Sequence, residues 1–181
     1  MTNSTEKGKF KMILILLLMA FPFYGQQKDD NKKAIQAIID TYSESVIAKD
    51  SIAFYSLFNE GNVVWCAAYK DRTQVREIEA KGEKKAGSNY FSGSYKGFMR
   101  GLYGHQYTED KFDNLKIVED GTVASVTMDY SFWADHKMTN WGSKYLNLIK
   151  KDGKWKITSV IYSIELIKYF KQPELKERQS R

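Results

Sequence analysis

The sequence predicts an α+β domain: a curved antiparallel sheet wrapped around a long N-terminal helix, in the shape of a cone. Three observations predict it. Apolar residues recur at three- and four-residue steps near the start of the chain, two-residue alternation governs the last third, and Asp-Gly pairs punctuate that last third as hairpin turns do. Helices first and hairpin-linked strands last is the order expected when helices cover one face of a sheet.

Residues 1–25 read as an export signal. Lys7, Lys9 and Lys11 flank an apolar run from Met12 to Phe23, and Gly25 offers a small residue for cleavage. A membrane-spanning helix needs about 20 apolar residues, so the run is short for a permanent span and suited to a signal core. After cleavage no stable membrane span is expected, and the mature protein belongs in the periplasm or outside the cell. Residues 26–33 read as a flexible lead.

From Ala34 onward the pattern is helical: Ile35, Ile38, Ile39, Tyr42, Val46 and Ile47 form one stripe. Asp50 is placed to cap a short second helix filled by Ile52, Phe54, Tyr55, Leu57 and Phe58. Val63–Tyr69 reads as a strand buried on both faces. Thr73–Lys81 reads as a short exposed helix, and Ser94–Tyr103 as a third packing helix. Phe112–Glu119 is a strand closed by Asp120-Gly121. Thr122–Trp133 alternates, with Ala124, Val126, Met128, Tyr130 and Phe132 on one face and Val123, Ser125, Thr127, Asp129, Ser131 and Trp133 on the other. Residues 134–140 read as a turn and Trp141–Lys150 as a strand. Asp152-Gly153 leads into a final strand, Lys154–Leu166. On that strand Trp155, Ile157, Ser159 and Ile161 are set opposite Thr158, Val160 and Tyr162. The domain is therefore bounded at 34–167, with 168–181 a loose basic tail.

Composition narrows the function classes. The chain has 181 residues, 43% hydrophobic and 28% charged, which excludes a collagen, a disulfide mini-protein and a wholly disordered chain. One cysteine, Cys66, excludes an internal disulfide and a Cys-rich zinc site; a buried, unreactive thiol is expected. The net charge of +6 is spread over separate lysine clusters, so no nucleic-acid partner is expected. Phosphate-loop, dinucleotide, zinc-protease and nucleophile-elbow motifs are missing, so no cofactor and no metal is implied. His105 and His136 read as surface-loop residues without an orienting partner.

Two segments carry a family resemblance. One is Ala37-Ile38-Ile39-Asp40-Thr41-Tyr42 with Ala48-Lys49-Asp50 and Leu57-Phe58. The other is Lys151-Asp152-Gly153-Lys154-Trp155-Lys156-Ile157 with Tyr162-Ser163. Together they resemble the nuclear transport factor 2-like superfamily, which includes ketosteroid isomerase and SnoaL-like cyclases, over residues 32–166. The resemblance implies a conical pocket for a small apolar or aromatic ligand and a homodimer through the outer sheet face. In the isomerase branch a first-helix tyrosine and a late-strand acid hold an oxyanion while a first-strand aspartate takes a proton. Carried over, Tyr42 matches the tyrosine, Cys66 falls at the base, and Tyr145 falls near the late acid. A thiol is not a carboxylate base, so no catalytic set is identified.

The expected function is therefore an exported ligand-binding domain with Tyr42, Cys66, Tyr130, Tyr145 and Tyr162 at the ligand. Two alternatives stand beside it. One is an isomerase, cyclase or dehydratase acting on a carbonyl compound with Tyr42 and Tyr145 as oxyanion donors. The other is a structural dimer whose cone is filled by its own side chains, Phe54, Met128 and Tyr162 among them. Trp65, Trp133, Trp141 and Trp155 are expected on the convex face.

Overall fold

A computed structural model describes residues 30–175. Residues 1–25, expected as an export signal, and the end of the basic tail lie outside the described residues. Helix α1 covers residues 30–48. It is followed by α2 (Ser51–Ser56), β1 (Val64–Tyr69), α3 (Asp71–Lys81), α4 (Glu83–Ala86), β2 (Tyr90–Ser92), α5 (Tyr95–Leu102), β3 (Thr108–Glu119), β4 (Val123–Ala134), β5 (Lys137–Lys151) and β6 (Lys154–Leu166). The six strands form one curved sheet in the order β2-β1-β6-β5-β4-β3. The β3–β6 meander is antiparallel as expected, while β1 lies parallel to β6 and makes the sheet mixed.

The apolar stripe of α1 lies in the concavity. Ile35, Ile39, Tyr42 and Val46 are buried, packed with Val126, Met128, Leu146, Leu148, Ile157 and Val160 from the strands. Each such side chain contributes about 1.5–3 kcal/mol of burial. The helix starts earlier than its apolar pattern. Residues 30–33, expected as flexible lead, are helical, and buried Asn31 bonds Glu119 (3.2 Å) and Lys150 (2.8 Å). The helix stops at Lys49, whose φ is +55°, and Asp50 then caps α2 by accepting from Ile52 and Ala53 N–H at 3.0 and 2.9 Å. In α2, Phe54 is buried, but Ile52 faces solvent.

Three irregularities re-aim the sheet, one of them an extra residue on β5, Thr139, opposite Phe132 and Trp133. On β3 an extra residue between Asp113 and Lys116 makes a bulge, where Asn114 takes a φ of +52°. On β6 the pairing shifts at Thr158, so strict alternation fails. Trp155 and Ile157 point into the core before the shift, and Val160 and Tyr162 do so after it. The turn expected over residues 134–140 is only two residues, Asp135 and His136, both with positive φ, and β5 begins at Lys137. Strand β1 is covered on one side only: Trp65 and Ala67 are buried, Val64 is exposed and Cys66 half-exposed.

Helix α3 is not the free surface helix its composition suggests. Thr73 and Glu77 are buried beneath the segment following β6. Trp141 Nε1 donates to the Phe170 carbonyl at 2.8 Å, and the Arg72 guanidinium sits 4.3 Å from the Phe170 ring centroid. Arg72 and Thr73 both bond Glu165 at 2.5 Å. Lys168, Lys81 and Tyr169 all donate to Glu77. Thus Lys168 and Tyr169, expected to be loose as the start of a basic tail interrupted by Pro173, are tied down by one carboxylate, and Phe170 is held by Trp141.

Hydrogen bonds from Lys168 and Lys81 lower the Glu77 carboxyl to about pKa 2 from 4.5. A folded-state pKa below the unfolded one stabilises above the unfolded value, and that stability is lost as pH falls through the folded value. The thermal midpoint of wild type should therefore exceed that of Glu77→Gln near neutrality. The gap should close as pH is lowered from about 5 to about 2, as read by thermal melts at each pH.

Candidate functional site

The concave face of the sheet closes over a cavity of about 190 Å³ lined by Trp65, Phe98, Asp110, Tyr130, Phe132, Asn140, Lys144, Tyr162 and Ile164. Five strands and one helix meet there because strand alternation sends the strands' inner residues to one place. Across the sheet Ala67, Tyr162, Lys144 and Met128 form one inner row. Phe112, Tyr130 and Gly142 form the next.

The polar centre is an ion pair. Lys144 on β5 donates to Asp110 Oδ2 on β3, and only 3% and 1% of these residues is exposed. Lys144 Nζ lies 3.5 Å from the Tyr42 hydroxyl. It also sits 4.6 Å from the Tyr130 ring centroid, 5.0 Å from Phe112, 5.1 Å from Tyr42 and 5.5 Å from Tyr162. An ammonium is attracted to the electron-rich faces of such rings, which partly replaces its lost water. Asp110 Oδ1 has no hydrogen-bond partner although it is buried.

Burial decides the charge states. It pushes Lys144 below its ordinary value, against the opposing pull of Asp110, and pushes Asp110 up, against Lys144. Both shifts favour the neutral forms, so a proton passes between the two groups more readily here than in water. Burial also raises Tyr42, Tyr130 and Tyr162, in all three cases with the Asp110 charge adding to it. Their hydroxyls stay protonated, and that of Tyr130 is spent within the protein.

Tyr130 is fixed by donating to the Ser163 carbonyl at 2.9 Å and to Asn140 Oδ1 at 3.1 Å. That placement needs glycine at 142: a Cβ there would lie 2.1 Å from the same Ser163 oxygen. Tyr42 is held by Phe54 and Phe112, edge-on at 4.9 and 5.6 Å.

Three expected ligand residues, Tyr42, Tyr130 and Tyr162, therefore converge. Two do not. Cys66 and Tyr145 pair with Ile161 in a row on the convex face, where Tyr145 is 48% exposed. In each case the preceding residue enters the cone: Trp65 and Lys144. A shift of one residue exchanges the two faces of a strand. Tyr145 and Cys66, expected at the ligand, therefore point away from the cavity.

Asp110 and Lys144 were missed for different reasons. Asp110 precedes the residue at which the β3 apolar pattern becomes visible. Lys144, however, is in phase with Leu146 and Leu148, a signal that placed it inward despite its charge. Phe54 and Met128 do fill much of the cone, and the remaining space is the cavity. Trp65 lines it and Trp155 joins the core, so neither is on the convex face; Trp141 is, under the Phe170 segment. His105 has a partner after all, Asp135 at 2.9 Å, but the pair is exposed at a loop away from the cavity. A larger groove of about 600 Å³ crosses the convex face between Lys70, Lys116, Tyr145 and Pro173. It is open to water, where charges are screened and polar chemistry is weak. No group of three His, Cys, Asp or Glu residues is placed to hold a metal among the described residues.

Solved structures share this architecture. A nuclear transport factor 2-like protein of unknown function from Silicibacter pomeroyi superposes with a TM-score of 0.52 at 17% identity, over 76% of this chain and 98% of its own. A protein provisionally designated a scytalone dehydratase, from Novosphingobium aromaticivorans, gives 0.56 at 15%, over 78% and 88%. The hexachlorocyclohexane dehydrochlorinase LinA-type3 from Novosphingobium barchaimii gives 0.54 at 10%, over 77% and 90%. No family model matches the chain, and no curated protein matches it either. The class is thereby defined: this is a cone-forming α+β domain. More particularly, the chain has the nuclear transport factor 2-like fold.

Removing one member of a buried ion pair strands the other charge, at a cost of about 3–5 kcal/mol, whereas replacing both by apolar groups is often neutral. Lys144→Met should accordingly lower unfolding stability by about that amount. The double variant Lys144→Met with Asp110→Leu should recover most of it, as measured by urea unfolding of both. A double variant no more stable than the single one would make the pair a stabilising feature of the fold.

Proposed function

We propose that the protein is an exported small-molecule-binding domain whose cone holds a compact apolar or aromatic compound bearing a carbonyl group. One observation carries the reading: a buried Lys144–Asp110 pair, with an unpartnered carboxylate oxygen, faces a cavity otherwise walled mainly by aromatic rings. A buried pair is weak as a stabilising device, and an unpaired buried oxygen costs about 1–3 kcal/mol. A ligand with an acceptor for Lys144 or a tyrosine hydroxyl and a donor for Asp110 Oδ1 relieves both.

Size restricts the occupant. A cavity of ~150 Å³ takes up benzene, so the space here suits one ring with a small substituent. The shared fold of a dehydrochlorinase and a provisionally designated dehydratase supports a small organic molecule in the cone. Export is supported by the basic flank and apolar run of residues 1–25.

Native protein should carry such a compound, detectable by mass spectrometry of an organic extract. Benzaldehyde should quench the fluorescence of Trp65. Tyr162→Phe, which removes a hydroxyl of the cavity wall, should weaken that binding about fivefold, the worth of one hydrogen bond, and Tyr145→Phe should leave it unchanged. Equal effects of the two substitutions would remove the cavity from the binding event.

Self-association through the convex face belongs to the same proposal. Val64, Val118, Val123, Tyr145 and Ile161 share that face and are 42–72% exposed. Apolar side chains so placed are what a second copy of the chain would cover. Sedimentation should give a dimer for wild type and a monomer for Ile161→Glu.

A further inference from the structure

We infer that Lys144 is an imine-forming residue: its ε-amine condenses reversibly with the carbonyl carbon of a small aromatic or apolar aldehyde or ketone held in the cavity. The inference rests on the binding reading above and deepens it by naming the bond formed.

The geometry supplies what a nucleophilic lysine needs. Nζ belongs to a residue 3% exposed that lines the cavity directly, so a bound carbonyl meets it without crossing bulk water. Four ring centroids surround Nζ at 4.6–5.5 Å, so its neighbours are mainly rings and not bulk water. Asp110 is the one carboxylate bonded to it, and the Tyr42 hydroxyl lies at 3.5 Å. The titratable groups facing Nζ are therefore Asp110 from β3, Tyr42 from α1, Tyr130 from β4 and Tyr162 from β6. Desolvated lysines next to a proton acceptor are the ones that act as amines.

The step balances within these groups. Lys144 Nζ passes a proton to Asp110, leaving a neutral amine and a neutral acid, the forms that burial favours. The amine lone pair attacks the carbonyl carbon, and the carbonyl π pair moves to oxygen, which takes the proton back from Asp110. The nitrogen, now cationic, returns one proton to Asp110. That proton then leaves with the hydroxyl as water while the nitrogen lone pair forms the C=N bond. The sum is an ammonium and a carbonyl giving an iminium and water, with no oxidant or reductant. The iminium keeps the single positive charge beside the Asp110 carboxylate, so the ion pair survives the reaction. The buried, protonated Tyr42 hydroxyl, which interacts with the Asp110 carboxyl, is placed to turn to the carbinolamine oxygen, and Asp110 Oδ1 can accept from the carbinolamine hydroxyl.

The test uses the full mature chain with benzaldehyde and sodium cyanoborohydride at neutral pH, followed by intact mass and peptide mapping. The expected product is one adduct, heavier by the aldehyde less one oxygen, on the peptide holding Lys144. It should form at aldehyde concentrations that leave the exposed lysines unmodified. Lys144→Arg keeps a cation for Asp110 but forms no imine, and should lose the adduct. Asp110→Asn keeps the amine without its proton acceptor and should trap about a hundredfold more slowly; an undiminished rate overturns the role given to Asp110. Benzyl alcohol, a ring without a carbonyl, reports binding alone through Trp65 fluorescence. If it binds while Lys144 stays unmodified, the imine is overturned and the binding reading stands. If neither compound binds, both fall.

Discussion

A charged pair removed from water is the constraint around which this molecule is arranged. Lys144 and Asp110 come from strands at different positions in the sheet, and both lose almost all their hydration. Their mutual attraction in a low dielectric is large, but the desolvation of two ions is of similar size. The pair is tolerable only where its surroundings are fixed. α1 supplies Tyr42, β4 supplies Tyr130 and β6 supplies Tyr162, so the aromatic enclosure is assembled from elements far apart in the chain. Because the inner row is one residue wide, even the absence of a side chain matters. Gly142 lets the Ser163 carbonyl approach, and that carbonyl fixes the Tyr130 hydroxyl.

The two sheet faces do different work for a simple geometric reason. Concavity brings inner side chains together and spreads outer ones apart. The inner face therefore concentrates rings and charge, whereas the outer face offers an open groove and separated apolar residues. One part of the outer face is covered by the protein itself. Arg72 and Lys70 lie over Trp141, the Phe170 segment lies beside it, and Glu77 gathers two lysines and a tyrosine. That second charged cluster is clamped by three donors to one carboxylate. It fastens the chain after β6, while the first cluster faces space.

The legibility of the site follows strand phase. Tyr42 was legible because helical periodicity places it with Ile35, Ile39 and Val46. Tyr130 was legible because β4 alternates without interruption from Ala124 to Phe132. Cys66 and Tyr145 were misplaced by one residue, because the family resemblance fixes position only approximately and a strand reverses its side chains at every step. Asp110 was hidden by charged neighbours Glu109 and Lys111, which made the start of β3 look like loop.

By itself the sequence determined the class of fold, the long amphipathic helix, the Asp-Gly hairpins and the inner face of β4. These depend on period and turn chemistry, which are local. Only the tertiary structure decided that β1 lies parallel to β6, that a bulge at Thr158 changes the phase of β6, and that Glu77 ties the last residues to α3. It alone decided that a lysine and an aspartate face each other inside the cone. Burial of a charge is a property of everything packed around it, and no window of the chain contains those neighbours.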